Sequence, residues 1–214
     1  MSALPTPAQL APALSRAASP LLFALAGRVA AQALVVGTWQ RDTDMIRLLD
    51  AMERQLPEVV RALSEHVHGP VLVECTGAMA VLALARPHTE RGVRQVSRAI
   101  VDRTPPSAWI ADSELLPLRG LLALSAARDE LARDTAAELD ARGDEAGSAL
   151  VRWVAGQRAR NQRADRLRAL RVLARRFPGS VHPMVLAAAA FALPESRGLR
   201  PVASFRRERR SLTP

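Results

Sequence analysis

The sequence predicts an all-α protein, an irregular helical bundle of about seven helices with a mobile, basic C-terminal tail. Three observations carry that expectation. Apolar residues recur at three- and four-residue spacing through most of the chain, the pattern of helices with one buried face. Only residues 71–76 have β-like composition, and a lone strand has no partner to pair with. Proline and glycine interrupt the apolar pattern where short connections between helices would fall.

In chain order, the first twenty residues are rich in proline, alanine and serine and read as poorly ordered, at least to Pro7. Ala24-Leu25-Ala26 after Arg16 and a short apolar run faintly imitates a signal peptide, and the acid-free start with its Arg and Ser faintly imitates a transit peptide. The apolar run that follows is short, however, and Pro20 breaks it, so a buried first helix over Pro20–Val36 is the better reading. No apolar run reaches the 18 or so residues that cross a bilayer, and stable membrane insertion is not expected. Thr43 is expected to cap the clearest helix, with Met45, Leu48, Leu49, Met52, Leu56, Val59, Val60, Leu63 and Val67 on one face. Pro57 inside that run implies a kink or a fresh start. Residues 71–76 read as extended linker or helix start, and 77–86 as a short apolar helix. Thr89 is the expected cap of the next helix, where Val93, Val96, Ile100 and Val101 face inward.

Residues 121–142 read as one helix of mixed charge, and 143–147, with two glycines, as a hinge. A helix containing Trp153 follows, weakened at Gly156, and Asn161 is the expected cap of the next one. There Leu167, Leu170, Leu173, Ala174 and Phe177 form an apolar stripe. The segment 183–193 is apolar nearly all round with Pro183 at its first turn, the pattern of a fully buried helix.

Charge divides the chain into three parts. All 30 basic residues are arginine. Asparagine, tyrosine and isoleucine are scarce or missing as well, so the choice of arginine over lysine reads as the imprint of GC-rich codons. Where the arginines sit is informative. Residues 1–147 carry a net charge of −3 and residues 148–214 one of +12. We therefore expect a mildly acidic helical body over 1–147, a basic helical segment packed on it over 148–193, and a basic tail over 194–214.

Candidate chemistry is sparse. No phosphate-binding glycine loop, nucleophile elbow or metalloprotease motif is present, so a non-enzymatic protein without a cofactor is expected. His66, His68, Cys75 and His88 are the nearest thing to a metal cluster, but they lack the spacing that puts two ligands on one turn. Cys75 reads as a small, half-buried thiol rather than a nucleophile. As the lone cysteine it suits a reducing, cytoplasmic setting.

Two arginine rows remain. Arg91, Arg94 and Arg98 with Gln95 have the side chains that read base edges in a major groove. The larger row comprises Arg158, Arg160, Arg163, Arg166, Arg168, Arg171, Arg175 and Arg176, and resumes in the tail as Arg206, Arg207, Arg209 and Arg210. The sequence thus predicts an accessory or assembly subunit that docks an acidic protein partner or complex on its basic C-terminal third. Electrostatic steering would come first, then burial of leucine and Trp153. Nucleic acid is the second class of partner, as for a DNA-binding regulator.

Overall fold

A computed structural model describes residues 4–65, 70–103 and 115–195. Among them are ten α-helices and two short 3-10 turns, and no strand is longer than an isolated bridge. The helices are α1 (Pro7–Arg16), α2 (Pro20–Val36), α3 (Thr43–Glu65), α4 (Pro70–Ala85), α5 (Glu90–Arg103), α6 (Leu116–Ser125), α7 (Asp129–Ala141), α8 (Glu145–Ala159), α9 (Arg166–Arg176) and α10 (Pro183–Ala192). The all-α expectation holds. The count of about seven is too low, for reasons local to a few segments.

One extra helix comes from the N-terminus. Pro7 opens α1, the Thr6 N–H donates to the Gln9 side chain at 2.9 Å, and Leu10, Ala11 and Leu14 are buried against α3. Proline density there marks a helix start rather than disorder. The β-like residues 71–76 are helical and continuous with 77–85, because burial of α4 on nearly all sides overrides the β-propensity of valine. A third difference is the break of 121–142 into α6 and α7. Ala127 adopts a left-handed φ of 59° there, and the Arg128 N–H bonds back to the Ala123 carbonyl at 2.8 Å. Neither glycine nor proline marks that corner.

Caps also shift by a residue or more. Asp42, not Thr43, caps α3 by accepting from the N–H groups of Asp44 (2.9 Å) and Met45 (3.1 Å). Thr89 donates its hydroxyl to the Arg86 carbonyl instead of capping α5. Asn161 lies in a left-handed turn (φ 49°), and Asp165 caps α9 through the Arg168 N–H. Residues 143–147 form a tight corner rather than an open joint. Asp144 caps α8 through the Gly147 N–H at 2.8 Å, and any side chain at Gly147 would strike Pro117. Pro57 lies within α3, which runs through it.

The organising element is α10. Every residue from Met184 to Leu193 is buried, and the helix packs on α2, α4, α6, α8 and α9. Its alanine run lets those neighbours approach closely. The closest seam is between α2 and α4: a Cβ added to Gly27 would lie 2.2 Å from the Ala78 Cβ and 2.6 Å from its Cα. One continuous core joins the α1–α4 side to the α6–α8 side through α10. The basic segment beyond residue 147 therefore shares the core of the acidic body. The tail arginines Arg206, Arg207, Arg209 and Arg210 lie outside the described residues, as do His66, Val67 and His68.

Gly27 and Gly156 make a matched test of this packing. Gly27→Ala should lose about 1–3 kcal/mol to overpacking against backbone. Gly156→Ala meets nothing within 4 Å in α8 and should gain about 0.5–1 kcal/mol. Urea unfolding midpoints at equal m-value read both changes.

Candidate functional site

Among the described residues, two groups of arginines differ in their chemistry, and the first group is structural. The last four carbonyls of any α-helix lack intrahelical partners, and when the helix end is buried they must find others. At the end of α10 donors from several segments meet them. The Leu193 N–H takes the Ala190 carbonyl (3.3 Å), Arg94 takes that of Phe191 (3.2 Å), and Arg158 takes that of Ala192 (2.8 Å). Arg166 takes the Leu193 carbonyl (3.0 Å), and the Ala164 N–H takes that of Pro194 (2.9 Å). Three cationic groups thus converge on the negative end of the helix dipole. Two of them also lie over the Phe191 ring, Arg94 at 4.6 Å and Arg166 at 5.6 Å from its centroid.

Glu90 holds this cluster together from α5. Its carboxylate bonds Arg94 at 2.7 Å and Arg166 at 2.8 Å, and Arg166 also faces Glu195 at 3.6 Å. Burial alone would raise the Glu90 pKa, but the hydrogen bonds from Arg166 and Arg94 outweigh it and hold the group below its ordinary 4.5. The Arg158 pKa is also lowered, because of its burial and the nearby charges of Arg94 and Arg166. Arg94 and Arg158 therefore spend their hydrogen-bonding capacity inside the molecule. The expected DNA-reading row is left with Arg91, Gln95 and Arg98 exposed on α5, and the larger row loses Arg158 and Arg166.

The second group lies outside. Arg168, Arg171 and Arg175 follow i, i+3, i+7 spacing along the exposed face of α9, with Val172 among them and 51% exposed. The opposite face, Leu170 and Leu173, is fully buried, so the helix cannot rotate the arginines away. Arg160 and Arg163 are exposed on the connection leading into it. None of these five has a carboxylate in ion-pairing range among the described residues. Elsewhere pairing is common: Arg28 meets Glu74 (2.9 Å), Arg86 meets Asp50 (2.5 Å), Arg119 meets Glu138 (3.2 Å), Arg128 meets Asp102 (2.8 Å), and Arg152 meets Asp140. Trp153 is half-buried against the core, so the exposed apolar group beside the arginines is Val172 instead.

The remaining chemistry is quiet. Cys75 is fully buried, more so than expected, with its thiol directed at the Pro20 carbonyl (3.0 Å), and burial pushes its pKa up to about 12. His88 is exposed and pairs with Glu53 at 2.6 Å. No three His, Cys, Asp or Glu side chains gather as a metal set among the described residues, and no helix there is long and apolar enough to cross a membrane. No protein-family model matches the chain, and no curated protein or solved structure shows significant similarity to it.

Two outcomes follow from this geometry. Glu90 is depressed in the folded state, so its contribution is complete above its unfolded pKa, near 4.5, and is lost as pH falls through the lower folded value. Glu90→Gln should lower stability at pH 7 and flatten the acid limb of a stability–pH profile. Cys75 should resist a thiol reagent at pH 7–8 in the native protein and react once urea unfolds it.

Proposed function

We propose that the chain is a non-enzymatic helical interaction protein, an accessory or assembly subunit that docks an acidic protein partner through α9. The observation that carries this reading is the row Arg168, Arg171 and Arg175, exposed and without a carboxylate partner among the described residues, in a protein that pairs many of its other arginines. Like charges one turn apart on a helix repel one another by a few tenths of a kcal/mol per pair, roughly. An acidic surface laid across them turns that repulsion into attraction. Arg160 and Arg163 extend the field towards Glu195, whose backbone is bridged to Ala164. Charges of one sign on a rigid face raise the rate of encounter with an acidic partner, and burial of Val172 then slows release.

A tagged full-length chain and its Arg168→Glu/Arg171→Glu/Arg175→Glu variant decide the matter in a pull-down, with and without nuclease and across a salt series. The expected result is a defined acidic protein, retained after nuclease and reduced at least tenfold by the triple reversal, with both proteins equally folded by circular dichroism. Retention of nucleic acid alone, with a log–log salt slope of about −3 or steeper, would replace this reading with the nucleic-acid one. No retention of either sinks both.

A further inference from the structure

Between α9 and α2 the surface opens into a cleft of about 630 Å³. As α9 advances from Arg171 to Phe177, α2 recedes from Gly37 to Gln32. The Nε of Arg171 lies 3.9 Å from where a side chain at Gly37 would begin. One turn further along, Ala174 and Phe177 face Val35 and Gln32 across the cleft, and Val181 and Leu186 add to its apolar lining. Asp144 and His182 also line it, and both are committed to backbone as the caps of α8 and α10. The cleft therefore has an apolar body with Asp144 in its lining, and Arg171 stands just outside that lining, one turn before Ala174 and beside Gly37.

We infer that this cleft receives a large apolar side chain from an acidic, extended or helical peptide segment of the partner, whose carboxylates lie on Arg171 and Arg175. The inference rests on the docking reading above and gives it an anchor. Its volume falls within the roughly 300–1,000 Å³ of ordinary binding pockets. An anchoring side chain in a desolvated pocket, ringed by polar contacts, is where interface energy concentrates. Charge selects the occupant. Residues 196–214 of the chain itself hold six arginines and one glutamate, the same sign as Arg171 and Arg175, so they are poor occupants. Asp144 in the lining repels a carboxylate, so acids of the bound segment belong on Arg171 and Arg175 outside the cleft, and neutral or basic residues beside Asp144.

The test uses a phage-displayed library of random 12-residue peptides, selected on the full-length chain. The expected consensus is one large apolar residue with Asp or Glu on one side of it. Synthetic peptides of that consensus should bind at least tenfold more weakly to Gln32→Trp and Ala174→Trp, which fill the cleft, and to Arg171→Glu just outside it. They should bind normally to Arg133→Glu on α7. Gln32 is exposed on α2, so Gln32→Trp reports on the cleft even if Ala174→Trp perturbs the fold. Acidic peptides sensitive to Arg171→Glu but indifferent to both tryptophan variants would overturn the cleft and leave the docking reading standing. Enriched peptides without acids would overturn both. Concentration-dependent self-association by light scattering, abolished by Gln32→Trp, would assign the cleft to a second copy of this chain instead.

Discussion

The structure depends on satisfying the C-terminal carbonyls of a helix that has no access to water. A buried, alanine-rich α10 is an efficient hub because small side chains let five other helices reach it, but burial strands its polar end. Many helices solve that problem locally with glycine and a left-handed turn. This one ends in Leu193 and Pro194, and imports its donors from α5, α8 and the first residue of α9. Each donor is a guanidinium, which can bond a carbonyl and still lie over an aromatic ring or meet a carboxylate. The cap is therefore also the clasp that holds three outer helices to the centre. Glu90 offsets part of the charge that would otherwise accumulate there.

That clasp explains why the arginines of one sequence end in such different environments. Arg166 and Arg168 are two residues apart on α9, yet one is buried against Leu193 and Glu90 and the other faces solvent. The helix period places them on opposite sides, and the buried leucines of α9 fix which side is which. Fixing the inner face also fixes the outer one. The backbone positions of the exposed arginines are thereby fixed, so a partner has only their side chains to order on binding.

Much of the helical framework was legible from the residues alone. Pro20–Val36 and the buried segment from Pro183 announce themselves because each begins with proline and is apolar on nearly every face. The α6–α7 corner was hidden because Ala127 takes a left-handed turn without the glycine that normally advertises one. The roles of Arg94, Arg158 and Arg166 were hidden for a different reason. A capping arginine and a solvated one share the same three- and four-residue spacing, and periodicity cannot separate them. One signal was present: an apolar helix running into Leu-Pro with no glycine or polar cap has carbonyls that some other segment must satisfy. Glu90, four residues before Arg94, was the second half of that clue.

The position of α10 along the chain has a consequence for how the molecule is made. Its partners α2, α4, α6, α8 and α9 all precede it in sequence. A nascent chain ending before Pro183 holds those helices with their apolar seats open, and the guanidiniums of Arg94, Arg158 and Arg166 without the carbonyls they bond. Such an intermediate is rich in exposed alanine and leucine surface and is prone to the misassembly that affects late-closing folds. The core cannot be completed until the ten residues from Pro183 to Ala192 are in place.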